Sequence, residues 1–503
     1  MLTPGSRELF NFAVSFSVRR EGDGVQLRNH PANIRGRLTR ERKTSGRNRS
    51  QIRETLVGIS RRCAPVAILS LVGGATAARA QDVSSAPAGT RSLADTPFKL
   101  VLPRQHLLSD RYGLRSWLEE RGVTPTLTIL TDALGNPTGG RRQGFSAGNN
   151  LGLDLNFDLE KLGGLKGGSF QLSFSERFGT SLSAKYIGNV FNVQAVYGED
   201  TYRLVNVAYQ QKLLDDRVEF RVGRIAAGDD FLVSPYNYVF IQNGFDGNPA
   251  GIFFNAPGMT PYPNSTWGAL VTGRPTTRTY VKGGWYNGDP SIRDNKHHGL
   301  AWSMDGPLFA IGEAGYQRNG LPGDQGLIGN YTVGGWYDDS QFTDFKTVAR
   351  SHAPGVTRGN WGFYSLFDQM LVRFDEPGSN RGFGVTGSVL ISPDQSVSQM
   401  PFFYTAGFLV RGLFPSRPAD GGGLGVVSGY FSNDLQISQL LAQQTNPTVG
   451  VQRHETALEL TYGFRFLGGA LILQADLQYI IRPGGTGQIP DAFVGGLRTG
   501  INF

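Results

Sequence analysis

The sequence predicts an all-β fold: a transmembrane antiparallel β-barrel of sixteen strands, with eighteen as the alternative, and a short N-terminal helix. Three observations lead there. Residues 455–503 hold three alternating segments, each with one greasy and one wet face, since a period of two sends successive side chains to opposite faces of a sheet. In the first, Leu458, Leu460, Tyr462, Phe464 and Phe466 oppose Glu459, Thr461, Gly463 and Arg465. Upstream, Leu151, Leu153, Leu155, Phe157 and Leu159 alternate with Asp154, Asp158 and Glu160. Acids there are costly in a dry core but need no compensation on a wall facing water. Finally, short turns and long polar loops divide the connections into two kinds, as the two rims of an outer-membrane barrel do. For the terminal hairpin alone, the competing reading is the edge of a soluble β-sandwich.

Residues 1–80 hold 15 basic and 5 acidic residues, whereas 81–503 hold 34 and 36. The pI near 9.5 therefore belongs to the leading segment, and no nucleic-acid partner is expected. Residues 1–55 read as a basic extension, preferably an upstream tract included by an early start. Residues 56–80 read as a signal peptide: Arg61-Arg62, an apolar run over 64–72, and Ala78-Arg79-Ala80 before a cut at Gln81. The single cysteine, Cys63, lies in that segment, so neither a disulfide nor a thiol nucleophile is expected after it. A mean hydropathy of −0.24 excludes a helical membrane bundle but not a barrel.

Residues 81–122 form a flexible lead-in and then a short helix. Ser109 or Asp110 can cap it, Leu114, Trp117 and Leu118 share a face, and Gly122 suits its end. The barrel takes 123–503. Further alternation appears near 169–176, 203–210, 217–224, 266–273, 279–287, 309–317, 327–336, 360–374, 382–392, 402–413 and 424–431. Turn chemistry marks 214–216, 273–275 and 377–380, and the longest loop covers about 226–264.

The words RYGLRSWLEERGVTPTLTILTDALGNPTGG, NLGLDLNFDLEKLGGLKGGSFQLSFSERFGTSLS, VEFRVGRIAAGDDF, LQADLQYIIRPGGTG and GGLRTGINF together resemble the carbohydrate-selective (OprB-type) porin family, from about Leu108 to Phe503. One departure is Arg111-Tyr112-Gly113, where that family usually has tryptophan and two glycines. The resemblance implies a sixteen-stranded barrel in the outer membrane of a Gram-negative bacterium. It also implies a periplasmic N-terminal helix, passive diffusion of sugars or small polar solutes, and contact with outer-membrane lipids. The final Phe503 resembles the terminal aromatic read by the barrel assembly machinery. Porins are commonly trimers, so a homotrimer is one expectation. Substrate range varies within the family. A general non-selective porin, a barrel enzyme acting on lipid or sugar, and a closed surface barrel all stay open as alternatives.

Sugar passage needs hydroxyl-matching groups and aromatic faces at a constriction, and charges of both signs to orient dipolar solutes. In porins an infolded loop commonly supplies it. The candidate pore-lining residues are Glu176 and Arg177 at SERFG, Arg221 and Arg224, and Asp230 at the start of the longest loop. The competing reading pairs them with each other at the rim. Asp154, Asp158, Glu459 and Arg465 read as wall residues without selectivity. Tyr236, Tyr238, Trp267, Trp285, Tyr286, Trp336, Tyr337, Trp361 and Tyr364 read mostly as membrane-interface girdles, with one or two as sugar platforms. His297-His298 offers too few ligands for a metal site. The six histidines are scattered along the chain, and neither a cofactor nor an enzymatic activity is expected.

Overall fold

Sixteen strands run in chain order: β1 (Val123–Thr138), β2 (Gly144–Asp158), β3 (Gly168–Gly179), β4 (Thr201–Leu213), β5 (Val218–Ile225), β6 (Thr266–Thr276), β7 (Thr279–Asn287), β8 (Leu308–Arg318), β9 (Gly329–Thr343), β10 (Val356–Arg373), β11 (Gly382–Ile391), β12 (Phe402–Arg411), β13 (Gly421–Tyr430), β14 (His454–Phe466), β15 (Leu471–Ile481) and β16 (Ala492–Asn502). In this computed structural model the described residues are 106–503, without 109, 246, 320, 322–323 and 352–354. The basic extension, the signal peptide and the lead-in as far as residue 105 lie outside them. Each strand pairs antiparallel with its neighbours and β1 pairs with β16, so the sheet closes and leaves no edge.

The strand that the alternation did not single out is β1. It carries Pro125 and Pro137, which remove ladder donors and disguise it, and its register with β16 shifts between Gly135 and Thr138. Elsewhere the two-residue period holds. Leu458, Leu460, Phe464, Leu473, Leu477, Tyr479 and Leu497 are exposed on the outer wall, while Glu459, Gln474, Asp476 and Arg498 turn inward. Trp285, Tyr337 and Trp361 are exposed outward toward one rim, and Trp267 packs on Trp302 with ring centres 5.0 Å apart. That is where an aromatic girdle belongs.

The start of β1 and the end of β16 share one rim, here the terminal rim. Its turns are short, and the far rim carries the long loops. Helix α1 (Leu114–Glu120) follows a single 3-10 turn, and the Asp110 carboxylate accepts from the backbone N–H groups of Arg115 and Ser116 at 3.0 and 3.2 Å. The Arg115 guanidinium then donates to the Phe503 carbonyl at 2.8 Å and the Pro125 carbonyl at 3.2 Å. Leu107 N–H donates to the Asn502 carbonyl at 2.7 Å. The helix therefore clasps the seam between the first and last strands. Three more α-helices follow among the described residues: α2 (Leu159–Gly163) on the terminal rim, and α3 (Phe345–Ser351) and α4 (Asn433–Thr445) on the far rim.

Candidate functional site

The segment 226–265, between β5 and β6, leaves the far rim and enters the lumen. An infolded chain brings backbone N–H groups that water no longer reaches, and the wall must satisfy them. Here wall carboxylates do so. Glu459 accepts from Ile241 and Gln242 N–H at 2.5 and 3.1 Å, Glu313 from Leu232 N–H at 3.0 Å, and Asp338 from Gly258 N–H at 2.6 Å. Asp368 accepts from the Ser234 hydroxyl at 2.6 Å, and Gln474 Nε2 donates to the Val239 carbonyl at 2.7 Å. The neighbouring loop 180–200 is held alike, with Glu455 accepting from Val190 and Phe191 N–H, each at 2.9 Å.

Apolar contacts complete the seat. Phe240 and Phe245 stack with centroids 4.2 Å apart against a glycine patch on β12 and β13. A Cβ on Gly425 would stand 2.7 Å from the Phe245 ring and 2.9 Å from the Phe240 ring. The patch therefore has room for these rings because it lacks side chains.

Beside this segment runs a chain of charges across β3, β5, β7 and β8. Arg221, buried, pairs with Asp230 at 2.8 Å and donates to Gln171 Oε1 at 2.7 Å. Lys282 bonds the backbone carbonyl of Asp230 and pairs with Glu313 at 2.9 Å. Tyr280 and Tyr364 hydroxyls donate to Glu313 at 2.7 and 3.0 Å. Asp230 keeps 23% of its side-chain surface open. Its neighbour Asp229 is hemmed in, and burial pushes its carboxyl up to about 7 against the pull of Arg221.

Residues 142–503 match the model of the carbohydrate-selective porin, OprB family. The chain belongs to that family. It is similar to the putative porin QuiX of Acinetobacter baylyi, 26% identical over 435 residues, which is 80% of this chain and 93% of that protein. Porin B of Pseudomonas aeruginosa is 26% identical over 423 residues, 78% of this chain and 90% of that one. The high-pH structure of Pseudomonas putida OprB superposes with a TM-score of 0.73 at 25% identity, covering 80% of this chain and 99% of that one. The protein is thus an outer-membrane porin. Its family and fold are those of a sugar-diffusion channel, not of an enzyme, and imply the outer membrane of a Gram-negative cell.

Within this porin the five expected residues separate. Arg221 and Asp230 come together as a pair. Arg177 turns inward on β3, donating to Asn150 Oδ1 at 3.3 Å and the Tyr262 carbonyl at 3.4 Å. Glu176 does not line the lumen: it is exposed on the outer face with Phe174 and Phe178, because adjacent strand residues take opposite faces. Arg224 is also not a lining residue. It is fully buried and ties loop ends together, through the Ser265 hydroxyl and carbonyl at 3.0 and 3.1 Å and the Ala301 carbonyl at 2.5 Å.

The wall acids also differ from expectation. Asp154 is buried and accepts from the Ser173 hydroxyl at 2.6 Å, and Glu459 anchors the infolded segment. Asp158 instead caps α2, accepting from Glu160 and Lys161 N–H. The infolded loops cover this wall, so hydrogen bonds to protein replace water there. Lys282 and Glu313 escaped sequence reasoning, although both fall on inward positions directly opposite each other in register. Of the aromatics, Tyr286, Trp336 and Tyr364 are buried inward and Tyr238 is buried on the infolded segment, while Tyr236 there is half-buried.

Proposed function

We propose that Arg177, Arg221 and Asp230, with Lys282 and Glu313, form the charged constriction through which this porin passes sugars and other small polar solutes down their gradients. The observation that carries the reading is the alternating chain Arg221–Asp230–Lys282–Glu313 beside a lumen-crossing segment. Cations and anions so interleaved set up a transverse field that orients hydroxylated solutes while giving a neutral sugar no net barrier. The half-buried Tyr236, on the same infolded segment as Asp230, offers an aromatic face for a sugar to slide over. The terminal rim faces the periplasm, and Phe503 is the residue the assembly machinery reads. A homotrimer fits the family habit.

Liposome swelling with a panel of sugars of graded size tests the reading. Hexoses should enter faster than neutral solutes of equal size that carry few hydroxyls, and Arg221→Ala should erase that preference. Rates that follow size alone, in both proteins, would leave a general porin.

A further inference from the structure

A cleft of about 760 Å³ opens on the far rim between α4, the start of β14 and the loop 482–491, within the range of roughly 300–1,000 Å³ usual for small-ligand sites. It lies away from the constriction and shares no residue with it. Arg453 and Arg482 line it, with Thr486, Gln488, Leu440 and Asp491. Neither guanidinium has a hydrogen-bond or ion-pair partner among the described residues, and Arg482 Nε is buried without one. The acid in the cleft is already engaged: Asp491 Oδ1 accepts from Arg482 N–H at 2.8 Å. A buried donor without an acceptor is costly, and a planar guanidinium matches a carboxylate or phosphate with two parallel bonds.

The surroundings have the same sign. Gly140 N–H bonds the Pro490 carbonyl at 3.0 Å, and Arg141 N–H bonds the Ile187 carbonyl at 3.1 Å. These contacts bring the exposed Arg141, Arg142 and Lys185 to the loops beside the cleft. Thr486 and Gln488 add a hydroxyl and an amide, while Leu440, 49% exposed, offers an apolar face. Such a set fits the hydroxyls and C–H faces of a sugar ring as well as its acid group.

We infer that this cleft is an entry subsite for acidic sugars, holding a carboxylate- or phosphate-bearing sugar at the mouth before it reaches the constriction. The inference rests on the channel reading for its consequence, not for its chemistry.

The test uses the full chain in planar bilayers of phospholipid alone, with glucuronate or glucose added on the far-rim side. Half-block of conductance by glucuronate should need a lower concentration than by glucose. In the double variant Arg453→Gln/Arg482→Gln the glucuronate value should rise at least roughly tenfold, because the loss of one charge-assisted bond already has that effect and two guanidiniums are removed, while the glucose value stays put. Equal glucuronate values in the two proteins would overturn the inference. If lipopolysaccharide in the facing leaflet raises the unmodified porin to the variant's value, lipid phosphates hold the cleft and the solute assignment falls. Loss of block by glucose alone counts against the sugar channel and leaves the cleft to be judged by glucuronate.

Discussion

Asp132 on β1 and Arg498 on β16 stand directly opposite each other in the register that closes the barrel. Their two bonds, 2.6 and 3.0 Å, are fully buried. The pair joins residues 366 positions apart in sequence and fixes how the last strand meets the first. Removing one partner of a buried pair leaves a desolvated charge and costs about 3–5 kcal/mol. Asp132→Ala should therefore lower the temperature at which the folded band is lost on a heat-modifiability gel, while Asp132→Asn, which keeps one acceptor, should lower it less. An Ala variant melting with the parent would show that the pair does not secure the seam.

Gly425 tests the seat of the infolded segment. A side chain there meets Phe240 and Phe245 at under 3 Å, and overpacking of that kind costs about 1–3 kcal/mol. Gly425→Leu should displace the segment from β13 and raise single-channel conductance with the barrel still folded. Unchanged conductance in a folded variant would mean that the segment does not set the bore.

Arg221 faces Asp230 and Gln171. Arg221→Ala removes a cation from the proposed constriction and releases the carboxylate of Asp230. The reversal potential in a salt gradient should shift toward cation selectivity, by less at high salt because screening shortens the field. No shift at low salt would place the ion path elsewhere.

Asp229 supplies a pH dependence. Its folded pKa, about 7, lies above the ordinary carboxylate value. The stability it lends is thus fully present below about pH 4 and is lost as the pH rises through 7. The infolded segment should exchange its amide hydrogens faster at pH 8 than at pH 6, after correction for intrinsic rates, and Asp229→Asn should remove the difference. A difference that survives in the Asn variant would assign it to another group.

Much of the wall was legible in the chain. The faces assigned to Leu458–Phe466, Leu471–Ile481 and Leu497–Phe503 hold because a strand allows two directions for a side chain, and lipid and lumen demand opposite chemistry. Arg177 and Arg221 follow from the same rule, and Glu176 was misplaced because that rule was not applied to its neighbour. Arg224 escaped because it stands one residue before β5 ends at Ile225, where the loops over the rim bury a side chain whichever way alternation sends it.

By itself, then, the sequence determined the barrel, its inward and outward faces and the length of the loop that had to go somewhere. Only the tertiary structure decided that this loop lies across the lumen, that wall acids are its hydrogen-bond acceptors, and that Lys282 and Glu313 join Arg221 and Asp230. The reason is physical: alternation is set by each residue's own backbone, whereas the seat of a loop depends on glycines, carboxylates and rings brought together from strands far apart in the chain.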